Sequence, residues 1–372
     1  MDTTTIPENV SKRITALRFL LAALVVFIHN NYTAQSAQTI LLSDGQPPLF
    51  VQNEFGRWLQ LFISEGLARA AVPLFFMFAG YLQGKKDYSY GVLVKKKAKS
   101  LLLPFVLWTA IYAFYYAGLK IVVLKVAPQL LANPDQNCLS WTALDWFHKL
   151  VGYTPDGHGG MIHQPAIAHH LWFVRDLLIL SLLSPLLKFF ARKIPAAFFA
   201  FALAAYLASF NVRFVETQAL FFYAAGLFWG IYEIPLFETL DKIKWREILP
   251  IFALLFAAAK TCWSVCGGPA VICACAIWLK VSGAIAAREK LYERAAGLAG
   301  FSFFLYAVHT PVLSNVLAEK FWLKLFPMTN TFFSLFEYFG VSLLTIFIGT
   351  GIGIALKKII PPLYSALNGG RS

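Results

Sequence analysis

Long apolar segments alternate with short polar segments along the whole chain. Apolar runs of this length indicate helices rather than strands. About 20 helical residues cross a hydrocarbon core of roughly 30 Å, and several segments are shorter, which predicts tilted helices or a locally thin bilayer. The ten predicted spans cover residues 16–32, 59–82, 101–123, 169–190, 196–210, 219–232, 248–265, 270–287, 301–317 and 332–356.

Positive charges concentrate on alternate connections between these segments. Cytoplasmic loops of membrane proteins are enriched in Lys and Arg, so this alternation predicts that both termini lie in the cytoplasm. The cations on the predicted cytoplasmic side are Lys12, Arg13, Lys85, Lys86, Lys95, Lys96, Lys97, Lys99, Lys188, Arg192, Lys193, Lys242, Lys244, Arg246, Arg288, Lys290, Arg294, Lys357 and Lys358.

The composition supports the same fold class. Hydrophobic residues make up 58% of the chain and charged residues 14%, whereas about a quarter of an ordinary soluble domain is charged. The net charge of +13 sits in short runs between apolar segments, so a membrane is expected around the protein and a nucleic acid is not an expected partner. We predict an all-α, polytopic integral membrane protein with about ten transmembrane helices. Residues 1–372 form one transmembrane domain without a separate soluble domain, and no oligomeric state is predicted.

A short amphipathic helix is predicted between the third and fourth spans. Trp141, Leu144, Phe147 and Val151 recur at helical spacing, and the Trp residues favour a helix that lies at the membrane interface. Ser140 is the expected N-terminal cap.

Arg18 and His29 are the polar residues of the first predicted span that stand out. Ten residues separate them, so both fall on one helix face, roughly 16 Å apart along the axis. Ionisable side chains inside a membrane are costly and are a functional hypothesis by default. Packing or orientation is the competing interpretation for either residue alone.

The second predicted span carries Glu65 and Arg69, which lie one turn apart on one face. A buried ion pair that fixes helix packing is one interpretation. The other is an anion or transition-state contact, because Arg keeps its charge and offers a fork of donors. Pro73 removes a backbone donor and Gly80 permits close approach, so this helix is predicted to be irregular.

The fourth and ninth predicted spans hold the remaining candidates. Each of Arg175 and Asp176 is expected to need its own partner inside the protein, since neighbouring residues point to different faces. His309 lies in the middle of the ninth span, where a structural and a functional histidine are equally compatible with the pattern. His169 and His170 are adjacent, but no further ligand follows at helical spacing, so no metal is expected.

Taken together, these segments resemble the membrane acyltransferase-3 family, over about residues 13–311. The matching pieces are Arg18 with His29, Val72-Pro73-Leu74-Phe75-Phe76 with Gly80-Tyr81, His170-Leu171-Trp172-Phe173, and Ser302-Phe303 with Tyr306 and His309. The Arg-to-His spacing is the most specific of them. Some members carry a second Arg where this chain has Val72, which leaves the number of phosphate contacts open.

The resemblance implies transfer of an acyl group, expected to be acetyl, from cytoplasmic acyl-CoA to a hydroxyl of a cell-surface or lipid-linked glycan. It implies a bacterial inner membrane and acetyl-CoA as the donor. His29 is the expected general base or acyl carrier, and Arg18 and Arg69 are the expected donor contacts. The acceptor-side or supporting residues are expected to be Glu65, His170, Trp172, Arg175, Asp176, Tyr306 and His309.

Several alternatives stay open at this point. An amino group in place of the hydroxyl is compatible with the same base. Some members carry a fused soluble domain; none is predicted here, so the acyl group is transferred by this chain or handed to a separate protein. A transporter or flippase for a lipid-linked sugar would also use broken helices and intramembrane charges. A sensor or assembly protein would use the polar residues for packing alone.

Overall fold

The computed structural model describes residues 6–33, 49–126, 141–155, 161–163, 167–210 and 215–371, and these are almost entirely helical. The α-helices are α1 (Glu8–His29), α2 (Glu54–Leu61), α3 (Ala71–Gly84), α4 (Tyr90–Lys97), α5 (Leu103–Val126), α6 (Ala143–Val151), α7 (Trp172–Leu182), α8 (Ser184–Lys193), α9 (Pro195–Leu207), α10 (Thr217–Ile231), α11 (Leu236–Lys242), α12 (Trp245–Ala259), α13 (Trp263–Ala286), α14 (Glu289–Ala299), α15 (Ser302–Val308), α16 (Leu323–Leu325), α17 (Thr331–Ile359) and α18 (Pro361–Leu367). Short π-helical or 3₁₀ segments interrupt them at Phe62–Leu67, Ala68–Ala70, Ala98–Leu102, His169–Leu171, His309–Leu313 and Val316–Trp322.

Each of the ten predicted segments overlaps at least one helix, but fewer stretches are long and apolar enough to cross a membrane. In the part of the chain that the structure describes, four qualify: Glu54–Gly84, Tyr90–Val122, Trp263–Ala286 and Thr331–Ile359. Two bent pairs of helices would raise the number of spans to six if each pair is one broken span. They are α10 with α11, bent by 104°, and α14 with Ser302–Leu313, bent by 53°. The helical membrane protein is confirmed, whereas the count of ten crossings stays a prediction.

Helix α1 lies at the centre of the helical bundle. It packs against α3, α13, α14, α15 and α17. Leu17, Leu21 and Ala22 on this helix have no exposed surface. The helix is long enough to span, but it also carries Lys12, Arg13 and Arg18, so its position depends on protein partners for those cations.

Arg13 is the cation of α1 that the protein compensates fully. Its guanidinium holds Asp241 through two contacts of 2.6 and 3.0 Å and donates to the Ser282 hydroxyl at 2.9 Å. It also stacks 3.9 Å from the centre of the Phe237 ring. Arg13 therefore joins α1 to α11 and α13, besides any contribution it makes to membrane orientation.

Helices α3 and α10 cross in closest contact through glycines. A Cβ atom built on Gly80 would overlap the carbonyl oxygen of Tyr223, and one built on Gly226 would overlap that of Met77. Gly84 and Gly230 meet one turn further along. The close approach predicted for Gly80 is confirmed, and it uses the small-residue spacing common between membrane helices.

The irregular stretch of the second predicted span lies ahead of Pro73 and not at it. Phe62–Leu67 is π-helical, Ala68–Ala70 is 3₁₀, and regular α-helix begins at Ala71. Pro73 has no N–H to donate to the carbonyl of residue 69, so the turn that contains Arg69 is released from regular hydrogen bonding. Arg69 therefore lies in an irregular turn just before α3.

The described chain also contains one small β-ladder, which the all-α prediction did not include. Tyr153–Pro155 pairs antiparallel with Met161–His163, with Thr154 opposite Ile162. The predicted amphipathic helix before it, α6, is confirmed, whereas its location at the membrane interface stays a prediction. Its cap is Thr142, whose hydroxyl accepts from the Asp145 N–H. Ser140, the predicted cap, lies outside the described residues.

The first and last described segments lie on one face of the protein. Ile6 and Arg371 line the same cavity, and Lys86 from the α3–α4 connection joins them there. Beside it, the Lys188 ammonium is 2.7 Å from the Asp87 carboxylate and holds the pKa of Asp87 below its ordinary value. The assignment of this face to the cytoplasm stays a prediction.

The glycine crossing gives a stability prediction. Gly226→Ala should lower the unfolding temperature in detergent, since overpacking against the Met77 carbonyl costs about 1–3 kcal/mol. Gly351→Ala on α17 is the matched control, because a Cβ there meets no atom within 4 Å. That substitution should leave stability equal or raise it by about 0.5–1 kcal/mol. Equal unfolding temperatures for the two variants would contradict the close crossing.

Candidate functional site

Four histidine rings from three parts of the chain meet in one cluster. His29 is the last residue of α1, His169 and His170 open the 3₁₀ turn before α7, and His309 begins the π-helical segment after α15. The His29 ring centre lies 4.9 Å from that of His309 and 5.8 Å from that of His169. His170 packs 5.5 Å from His309. Three helix ends thus deliver imidazoles to one point in the bundle.

Backbone carbonyls fix which nitrogen of each ring carries the proton. His29 Nδ1 is 3.0 Å from the Val25 carbonyl oxygen, and His309 Nδ1 is 2.7 Å from the Tyr306 carbonyl oxygen. A carbonyl accepts only, so in the neutral rings both Nδ1 atoms are the donors. His309 Nε2 is then an acceptor, 3.2 Å from His29 Nδ1. This arrangement leaves Nε2 of His29 unprotonated, on a ring that is only partly buried.

His170 and Tyr306 form the support behind these two rings. His170 Nε2 donates to the Ala307 carbonyl at 3.0 Å, and the Tyr306 hydroxyl donates to the carbonyl of His170. The Tyr112 hydroxyl also donates to the Ala307 carbonyl, at 2.7 Å. The histidine turn and the helix that carries His309 are therefore tied together by side chains on both sides.

A cavity of about 760 Å³ opens on the face where the first and last described segments meet. Of the described residues that line it, none is acidic. A cleft lined by charges of one sign raises the local concentration of ions of the opposite sign. Its basic lining residues are Arg18, Lys86, Lys96, Lys97, Lys99 and Arg371. We call this space the basic cavity.

Arg18 is the basic residue that helix α1 contributes to this lining. It is partly buried, and it has no hydrogen-bond or ion-pair partner among the residues described. Helical rise places it roughly 16 Å from His29. The sequence-based prediction that the two residues share a helix is confirmed, and the basic cavity contains the first of them but not the second.

An aromatic wall separates the inner end of the basic cavity from the histidine cluster. Phe75, Phe173 and Tyr306 line the cavity, and the Phe173 and Tyr306 rings are 5.4 Å apart. On its other side, Tyr306 lies 5.7 Å from His170 and 6.0 Å from His309, measured between ring centres. Tyr306 therefore belongs to both parts of the site.

Glu65 and Arg69 lie on the far side of His29 from the basic cavity. Their ion pair is 2.7 Å long, and 41% of the Arg69 side chain is exposed. Asn31, just beyond His29, donates to Glu65 at 3.4 Å and accepts from Gln60 at 2.8 Å. Arg69 does not line the cavity that contains Arg18, so the structure does not bring these two predicted donor contacts together.

Arg175 and Asp176 are paired with each other, which corrects the expectation of separate partners. Arg175 Nε donates to Asp176 Oδ1 at 3.0 Å, and Arg175 Nη1 donates to the Val151 carbonyl at 2.9 Å. The other Asp176 oxygen accepts from the Glu216 N–H at 2.9 Å. Both side chains can bend toward one another at the start of α7, and they anchor loops rather than join the histidines. Trp172 likewise packs on Phe76, 6.2 Å between ring centres.

No group of three or more His, Cys, Asp or Glu side chains in the described segments is arranged to hold a metal ion. The four imidazoles pack against one another and against backbone carbonyls instead.

Sequence reasoning missed Arg371. It follows Gly369 and Gly370, both with positive φ, so the chain turns back and returns this side chain to the basic cavity. A pair of glycines next to a lone Arg after the last helix was the available signal, because glycine is the residue that adopts such turns freely.

Two comparisons with known proteins give matches over nearly the whole chain. A family model described as an acyltransferase domain matches residues 11–358. "Succinoglycan biosynthesis protein ExoH" of Rhizobium meliloti (strain 1021) is 27% identical over 388 residues, which cover 98% of this chain and 93% of the relative. No solved structure matches the chain significantly.

The proton arrangement predicts a difference in chemical reactivity among the histidines. Diethyl pyrocarbonate modifies unprotonated, reachable imidazole nitrogens, so His29 should react in the folded protein while His170 and His309 should be protected. Peptide mass spectrometry after brief treatment in detergent measures this. Protein denatured before treatment is the control, in which all three should react. Modification of His309 ahead of His29 would show that the cluster is oriented differently.

Proposed function

The chain belongs to the acyltransferase-3 family, and we propose that it transfers an acyl group from acyl-CoA in the basic cavity to a hydroxyl of a cell-surface or lipid-linked glycan. The observation that carries the proposal is the position of His29. Among the described residues its Nε2 has no partner, and its Nδ1 proton is held by Val25 and His309. A cavity whose described lining holds six cations and no carboxylate lies behind one aromatic wall.

The basic cavity suits the nucleotide end of acyl-CoA, and we place it at the cytoplasmic face. Phosphates pair well with Arg and Lys, and Arg18 has no partner in the described protein that would compete. The inner part of the cavity is lined by Phe75, Phe78 and Phe173, which suits the less polar pantetheine arm. The thioester would then point from Arg18 toward Tyr306 and the histidines.

In direct transfer, His29 acts as the general base. Its Nε2 takes the proton of the glycan hydroxyl while that oxygen bonds to the thioester carbonyl carbon. The carbon–sulfur bond then breaks, and the CoA sulfur leaves with the proton returned by His29. His309 accepts the hydrogen bond from His29 Nδ1 throughout, so it holds the ring and stabilises the imidazolium that forms.

A relay through an acyl-histidine uses the same groups. The His29 Nε2 lone pair bonds to the thioester carbon, and the CoA sulfur leaves. The glycan oxygen then attacks the carbonyl carbon of the acyl-imidazole, and the bond from that carbon to His29 Nε2 breaks. The hydroxyl proton passes to the CoA thiolate, so CoA leaves as the thiol and neutral His29 is regenerated. In either route the wall at Tyr306 must open, since His29 does not line the basic cavity in this conformation.

Arg69 and Glu65 support the acceptor side. The half-exposed Arg69 guanidinium offers charge to the tetrahedral oxyanion, and such contacts strengthen as the negative charge develops. Asn31 and Gln60 extend a polar network from this pair, which is the chemistry that hydroxyl-rich acceptors require. Arg175 and Asp176 have a supporting role through the loops that they anchor.

The acceptor class and the acyl group rest on analogy. The relative is named for succinoglycan biosynthesis, which supports a glycan acceptor over a small soluble molecule. Acetyl is the proposed acyl group, and an amino sugar would be acylated by the same base. A flippase is the less favoured candidate, because the family model describes an acyltransferase domain.

His29 provides the direct test of the chemistry. His29→Ala should reduce acylation of membrane glycans by about 10²–10⁴-fold, the usual contribution of a positioned general base. The assay follows transfer of label from acetyl-CoA in isolated membranes, with the glycan mass increase identifying the acyl group. His148→Ala, on the interfacial helix α6, is the control and should retain activity. Undiminished transfer by the His29 variant would remove this residue from the mechanism.

Arg18 tests which side holds the donor. Arg18→Ala should raise the KM for acyl-CoA by roughly tenfold and change kcat less, since the lost contact is to phosphates away from the reacting carbon. Initial rates at varied acyl-CoA and at varied acceptor separate the two substrates. A change confined to the acceptor KM would place the donor elsewhere.

A further inference from the structure

Arg371 lies in the basic cavity beside Arg18, although the two are at opposite ends of the described chain. We infer that the segment Gly369–Arg371 is part of the anion-binding site and that Arg371 and Arg18 bind the phosphate groups of the donor together. That the donor is acyl-CoA rests on the proposed function. The anion site itself rests on the geometry below.

The segment is held in place by a specific turn. Gly369 and Gly370 have φ of 65° and 70°, and the Gly370 N–H donates to the Ser365 carbonyl at 2.8 Å. Asn368 is fully buried, and its amide donates to the carbonyls of Gly300 and Arg371. A Cβ on Gly369 would overlap the Ser100 carbonyl, so glycine is needed for this approach. The turn therefore presents Arg371 in a fixed position.

The charge around Arg371 is uncompensated. Its guanidinium donates to the Asn368 carbonyl at 2.9 Å and lies 4.4 Å from the centre of the Phe303 ring, but no carboxylate among the described residues pairs with it. Burial and the nearby Arg18 cation lower the pKa of Arg371 to about 10. Like charges held together in a partly buried space repel, and a bound anion offsets that repulsion.

Two arginines suit a ligand with more than one phosphate group. A guanidinium binds phosphate oxygens through two parallel donors, and its planar fork fixes the direction of approach. Arg18 comes from the first helix and Arg371 from the last segment, so a diphosphate between them would link parts of the chain that share few other contacts. Lys97 adds a third cation from helix α4.

The test compares Arg371→Ala and Arg371→Lys with the wild type, using inorganic pyrophosphate and CoA as separate probes. Binding to the full protein in detergent is measured by calorimetry. Arg371→Ala should lower the affinity for each probe by about tenfold, which is the contribution of one charge-assisted contact. Arg371→Lys should retain part of the affinity. Lys95→Ala is the matched control. Lys95 is exposed on the same helix as Lys97 and does not line the cavity, so affinity should be unchanged.

The unfolding temperature of each variant without ligand separates binding from folding. If Arg371→Ala lowers it strongly, Arg371→Gln keeps the hydrogen bond to Asn368 and provides the second comparison. Unchanged pyrophosphate affinity in the Arg371 variants would overturn this inference, and CoA binding by the wild type would still support the proposed donor. If the wild-type protein binds pyrophosphate but not CoA, the anion site would be supported and acyl-CoA as the donor would be contradicted. No binding of either probe to the wild type would overturn both.

Discussion

Ionisable side chains inside a membrane protein are costly, and helix α1 carries Arg13, Arg18 and His29 through the centre of this molecule. Arg13 is satisfied by Asp241 and Ser282, and His29 is satisfied by Val25 and His309. Arg18 lies between them without a partner among the described residues and faces a cavity instead. The same helix therefore carries one fully paired cation, one cation that faces a cavity, and one imidazole in a histidine cluster, and the neighbours of each make the difference.

The rest of the fold arranges the surroundings of that helix. The glycine crossing of α3 and α10 brings two backbones together, and Arg69 lies in the irregular turn ahead of α3. The broken helix after α15 brings His309 against His29. Three of the irregular segments carry Arg69, His170 and His309, and irregular turns of this kind inside helices are frequent at functional sites.

Sequence patterns predicted the features that depend on helical spacing within one segment. Arg18 and His29 share one helix, so their alignment followed from helical spacing, and the amphipathic α6 followed from its apolar period. The pairing of His309 with His29 joins residues 280 positions apart, and no local pattern contains it. Arg175 and Asp176 were assigned to different faces because the prediction ignored the reach of the Arg side chain. Arg371 was missed because its position depends on two left-handed glycines and not on any periodicity.

The aromatic wall at Tyr306 has a consequence for the membrane itself. A cell stores energy as an electrochemical gradient across its bilayer, and a water-filled path lined by imidazoles would conduct protons down that gradient. The basic cavity lies on one side of the Tyr306 and Phe173 rings, and the histidine cluster lies on the other side. Under the proposed function, the thioester has to pass this wall while ions do not, so the rings of Tyr306 and Phe173 would also have to insulate the membrane.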